Sequence, residues 1–150
     1  MKNLLAILAF ILLATSCADP ILEKTIIDYV HPESWVLVKM TGSFSGSETT
    51  GDNMEWQEAY LLNRDNTFSK IRVKDGIKKV ETGTYNWIEN NNGSKTLELT
   101  YPTYNALIGN CTSEPKEYLH LNNDNLLFSS WAACDGPGLY YAFEGSEDTD

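Results

Sequence analysis

Hydrophobicity in this chain alternates with a period of two, and that pattern most limits what the chain can fold into. Successive residues of a strand point to opposite faces, so alternation builds one apolar face per segment. In Met54–Leu62, for example, Met54, Trp56, Tyr60 and Leu62 share a face. Eight further segments read as strands: Trp35–Thr41, Thr67–Lys74, Ile77–Ile88, Thr96–Tyr101, Ala106–Cys111, Glu117–Leu121, Leu126–Trp131 and Gly138–Phe143. β-branched and aromatic side chains are frequent in them, and Ala106–Cys111 carries the weakest pattern.

The connections carry turn chemistry. Asp75-Gly76 is the strongest hairpin signal, because both central residues of a type I′ turn need positive φ. Asn63–Asn66, Asn90–Ser94 and Asn122–Asn125 are loops of the same kind, and Gly42–Asn53 is a longer Gly/Ser/Thr loop. No long helical pattern lies between the strands, which argues against a parallel α/β sheet. The local order predicts an all-β fold: an antiparallel up-and-down barrel of eight or nine strands, closed so that no edge is left exposed. A barrel of about eight strands has an interior that side chains fill, or that holds one small ligand.

The first seventeen residues break this pattern. Lys2 precedes an unbroken apolar run from Leu4 to Ala14, followed by Thr15-Ser16-Cys17. A membrane-spanning helix needs about 20 apolar residues, so the run matches a secretory signal instead. The small residues leading to Cys17 resemble the lipobox of bacterial lipoproteins. That resemblance implies a signal peptide over 1–16 and a Cys17 that carries the lipid (diacylglycerol, with palmitate-type chains). Two or three acyl chains anchor stably where one does not. Ala18 after the cysteine, by the sorting rule of enteric Gram-negative bacteria, implies the outer membrane, with the body facing the periplasm or the surface. The alternative is an ordinary signal cut near Cys17, leaving a soluble periplasmic protein. Residues 17–33 then form a lipidated N-terminus and spacer; Ile21, Leu22, Ile26, Ile27 and Val30 give it a short helical pattern that His31-Pro32 ends. The barrel domain spans 34–143 and an acidic tail 144–150.

Charge narrows the partners. With 11 Lys+Arg against 21 Asp+Glu, the net charge is −10. Nucleic acid requires a basic footprint and anionic lipid a polybasic one, so the expected membrane contact is through a lipid anchor alone.

Three short motifs carry a family resemblance. They are Ser34-Trp35-Val36-Leu37-Val38, then Glu58-Ala59-Tyr60-Leu61-Leu62-Asn63-Arg64-Asp65-Asn66-Thr67-Phe68, then Thr82-Gly83-Thr84-Tyr85. Together they resemble the lipocalin-like domains of small Gram-negative lipoproteins, over residues 34 to 143. Glu33 stands where that family has glycine, and Asn66 replaces its turn glycine, which suits Asn because it accepts left-handed backbone. The segment Trp131–Tyr140 resembles the closing stretch of one subgroup. The resemblance implies a small antiparallel barrel and, for classical lipocalins, an apolar ligand.

With Cys17 assigned to the lipid, Cys111 and Cys134 remain, and an even pair in an exported protein reads as a disulfide. Alternate strands lie about 9–10 Å apart, too far for a bridge, so the two cysteines are expected in flanking loops. Neither histidine has metal-ligand spacing or a nucleophile in a triad motif. Carboxylates form no recognisable acid/base pair, and Glu55 and Glu58 fall on opposite faces of one strand. No enzyme, metal or cofactor is therefore expected. The binding candidates are aromatic: Trp56, Tyr60 and Tyr85 with Arg72, and Lys70 beside it as a second polar anchor. They line a pocket for a small hydrophobic or amphipathic ligand, or they simply fill the barrel. Trp35 is the expected plug of the barrel base, and Tyr101, Tyr104 and Tyr140 are candidates for the outer surface. Two functions follow: a tethered ligand-binding barrel, or a tethered interaction subunit with a solid barrel that acts through its loops.

Overall fold

A computed structural model describes residues 32–145. The lipobox, Cys17, the spacer up to His31 and the tail from Ser146 lie outside the described residues. Within them the chain is all-β and antiparallel, as the alternation predicts. The strands are β1 (Glu33–Thr41), β2 (Thr49–Thr50), β3 (Gln57–Leu62), β4 (Thr67–Lys74), β5 (Ile77–Glu89), β6 (Lys95–Thr100), β7 (Lys116–Leu121), β8 (Leu127–Ser129) and β9 (Gly138–Glu144). Neighbours in sequence pair in order from β3 to β9, β1 pairs with β3, and β1 also pairs with β9. Eight strands thus close an up-and-down barrel, and two-residue β2 rides outside it against Lys39 and Met40 of β1.

Turn chemistry acts as read. Asp75 and Gly76 adopt φ of 52° and 73°, and Asn66 and Asn125 are also left-handed. The register from Lys74↔Ile77 onward follows from that tight turn.

One expected strand is corrected. Ala106–Cys111 pairs with nothing; Tyr101–Pro115 is instead a long connection from β6 to β7. Its apolar residues are there to be buried: Leu107 and Ile108 are 3% and 5% exposed and fold over one end of the barrel. Leu126–Trp131 shortens to β8 and continues as a 3-10 helix, Ser130–Cys134, which the Ser129 side chain caps by accepting from the Trp131 N–H. The two ends of the barrel differ in consequence. The turns at 63–66, 90–94 and 122–126 close one end tightly. The other end carries the long β6–β7 connection and the β8–β9 connection. Cys111 and Cys134 join these two by a disulfide, with Cα atoms 5.6 Å apart. Neither cysteine is in a strand, as the strand spacing requires: Cys111 is in the long connection and Cys134 ends the 3-10 helix.

Trp35 is buried at the tight-turn end, its ring 6.4 Å from that of Trp87 and 5.5 Å from that of Phe143. This is the base position expected for it. Tyr104 is exposed as expected, but Tyr101 is corrected: it is 2% exposed and points into the barrel. No helix among the described residues is long and apolar enough to cross a membrane.

Candidate functional site: a paired charge network in the barrel lumen

Inward positions of three strands, two adjacent and one across the lumen, bring four charged side chains together. Glu58 comes from β3, Lys70 and Arg72 from β4, and Glu117 from β7. Glu58 and Arg72 are direct cross-strand partners. Lys70 has no exposed surface, and Glu58 and Glu117 are almost as deeply buried. Burying a charge without partners costs several kcal/mol, so its surroundings must replace water. They do so here. The Lys70 ammonium donates to Glu117 Oε1 at 2.7 Å and to the Leu107 carbonyl at 2.6 Å, and lies 3.3 Å from Glu58 Oε1. Arg72 donates through Nε to Glu58 and through Nη2 to the Leu107 carbonyl at 3.3 Å. Two carboxylates thus face two cations, and the cluster is neutral.

Three tyrosines complete it. Tyr60 donates to Glu117 Oε2 at 3.0 Å, Tyr101 donates to the same oxygen, and Tyr141 donates to Glu58 Oε1 at 2.6 Å. The Gly109 N–H gives Glu117 a further donor. Burial, reinforced by the carboxylates they serve, pushes all three phenols well above the ordinary value of 10.0. Burial opposes the Arg72 charge, but the Glu58 carboxylate outweighs it and raises the guanidinium. The long β6–β7 connection matters here, because it supplies Leu107 O, Gly109 N and Tyr101 in one fold. Gly109 is required: a Cβ there would run into the Trp131 ring.

The aromatic candidates divide. Tyr60 is 1% exposed and packs edge-on against Tyr141, with ring centroids 5.1 Å apart. Trp56 is buried under the Arg72 guanidinium, 4.5 Å from the ring centroid, and its Nε1 has no hydrogen-bond partner. Tyr85 belongs to the opposite end, where its hydroxyl donates to the Asn63 carbonyl at 2.9 Å. The four residues therefore do not line one cavity. Trp56, Tyr60 and Arg72 join the network, and Tyr85 braces the tight-turn end.

Sequence reasoning missed Glu58, Glu117 and Tyr101. The parity of Glu58 was visible, since it shares a face with Trp56 and Tyr60. His120 is exposed and bonds Thr96 Oγ1 at 3.0 Å. Among the described residues no group of His, Cys, Asp or Glu is placed to hold a metal ion.

Open space is found at both ends of the barrel. A cleft of about 450 Å³ at the tight-turn end is walled by Trp35, Trp87, Ile88 and Leu121 and edged by Glu33 and Lys95. A slot of about 200 Å³ separates Ile77 and Lys79 of β5 from Leu107 of the capping connection. Compared with protein-family models, curated proteins and solved structures, the chain matches none of them.

Proposed function

We propose that this chain is a lipid-anchored, non-catalytic accessory module of the bacterial cell envelope, with a lipocalin-like barrel that is solid and works through its outer surface. One observation carries the reading: Lys70, held between Glu58 and Glu117, fills the lumen where a ligand would lie. A ligand entering there would have to separate buried opposite charges, at a cost of several kcal/mol. The anchor rests on the Cys17 lipobox pattern. Mass spectrometry of the mature N-terminus tests it: an acylated Cys17 is expected, and an unmodified terminus at Ala18 would sink it.

A second reading keeps a ligand but moves it. The Trp35–Trp87 cleft is large enough for a small amphipathic molecule, whose apolar part would meet the two indoles. A thermal-shift panel of fatty acids and sterols separates the two. The solid-barrel reading expects no ligand to raise the melting temperature. A rise that Trp87→Ala abolishes and Trp56→Ala leaves in place supports the cleft.

A further inference from the structure

We propose that a second copy of this chain pairs with the open edge of β5, antiparallel and two-fold about Val80. β5 is the longest strand, yet β6 pairs only with its Thr84–Glu89 half. Ile77–Gly83 pair with β4 alone among the described residues. The reason is local: at Tyr101 the chain turns into the lumen, and Pro102 has no N–H to extend a ladder.

The Asp75-Gly76 turn decides which groups face the gap. In a two-residue hairpin the flanking residues, Lys74 and Ile77, bond to each other. Ile77, Lys79 and Glu81 thus aim their N–H and C=O groups at β4. Lys78, Val80 and Thr82 aim theirs at the open edge. The same parity holds further along, where the Tyr85 N–H donates to the Asn66 carbonyl on the β4 side.

The outward groups of Lys78, Val80 and Thr82 can pair about any residue of this stretch, and side-chain charge selects Val80 as the centre. The register then sets Val80 against the second copy's Val80, and Lys78 against its Thr82. It sets Lys79 against the second copy's Glu81, twice over. Lys79 and Glu81 have no ion-pair partner within the chain among the described residues. Centring on Lys78 or Lys79 would instead oppose two lysines, and centring on Glu81 would oppose two carboxylates.

The outer wall agrees with this register. Ala142↔Val36, Val36↔Ala59, Ala59↔Ile71 and Ile71↔Val80 are successive cross-strand partners, so one apolar row crosses five strands and ends at the open edge. Val80 is 48% exposed, and Val73, diagonal to it on β4, 37%. Pairing would run this row unbroken from one barrel into the other. Edge lysines also serve to keep strands apart, and a monomer is the outcome that role predicts. The proposal does not depend on the lipid anchor or on what else the module contacts.

The test uses the full chain. Val80→Cys places two sulfurs at a directly opposed pair, about 5.5 Å between Cα atoms and within disulfide range. It should give a covalent dimer on non-reducing gels above the wild-type background, while Ala59→Cys, two strands from the edge, should not. If Val80→Cys fails to accumulate, a mixture of Lys78→Cys and Thr82→Cys chains reads the same register. In sedimentation equilibrium, Glu81→Lys should weaken the dimer about tenfold, and Lys79→Glu combined with Glu81→Lys should restore it. A monomeric wild type, equal cross-linking at Ala59, or a double variant no better than Glu81→Lys overturns the proposal.

Discussion

A lysine with no exposed surface is tolerable only where other groups replace its water. Lys70 has two carboxylates, a carbonyl and the Tyr60 ring face within 5.0 Å. Lys70→Met would leave Glu117 buried beside two phenols and no cation. We expect it to lower unfolding free energy by about 3–5 kcal/mol in urea titrations. The tyrosines give a pH dependence with a definite sign. Burial holds Tyr60, Tyr101 and Tyr141 protonated in the folded chain at pH values where the unfolded chain has already lost those protons. Stability from this source is fully present below pH 10, the ordinary phenol value, and falls as pH rises above it. Tyrosinate absorbance from these three rings should therefore appear together with loss of the fold in an alkaline titration, whereas exposed Tyr104 should titrate first. Asp65 is opposite in sign: the Thr67 hydroxyl and N–H hold its carboxyl below the ordinary value at the mouth of a tight turn.

At the scale of elements, the β6–β7 connection contributes most beyond the barrel itself. It caps one end with Leu107 and Ile108, gives the network three of its polar groups, and is tied down by the Cys111–Cys134 bridge. Replacing both cysteines by serine opens a link spanning 23 residues and should cost about 3 kcal/mol, read as a lower melting temperature under oxidising conditions. Gly83 is a second pinch point. A Cβ there would strike the Thr100 carbonyl, which is backbone and cannot yield, and the Phe68 ring. Gly83→Ala should destabilise by about 1–3 kcal/mol, although its neighbours Thr82 and Thr84 are exposed.

This scale also explains what the sequence disclosed. Strand faces and turns were legible because both are local: period-two alternation and Asp75-Gly76 need no knowledge of the rest. The capping connection was not, because a short apolar run such as Ala106–Ile108 reads alike whether it pairs as a strand or is buried as a loop. The charge network was half legible. Lys70 and Arg72 share the Phe68 face, and Glu58 the Tyr60 face. Their meeting with Glu117 depends on barrel closure between strands far apart in sequence, which alternation alone does not encode.

For the whole molecule, closure by β1 with β9 converts a row of hairpins into a closed body whose middle is packed with side chains. Tyr60, Phe68, Lys70, Leu97, Leu99, Leu119 and Tyr141 are each at most 1% exposed. The Trp35–Trp87 cleft opens at the tight-turn mouth beyond this packed middle, and a second gap lies between β5 and the capping connection. The overall charge of −10 is consistent with this, since the buried network is neutral and the excess of carboxylates lies elsewhere. A filled lumen is thus the central claim, and a double-mutant cycle on Lys70 and Glu117 tests it most directly. With Lys70→Met, Glu117→Gln and the pair measured by urea unfolding, a dry and filled interior predicts large single losses that are strongly non-additive. The double variant should then be far more stable than their sum implies. Single losses under about 1 kcal/mol that simply add, as for ion pairs in water, would mean the lumen is solvated and open to a ligand.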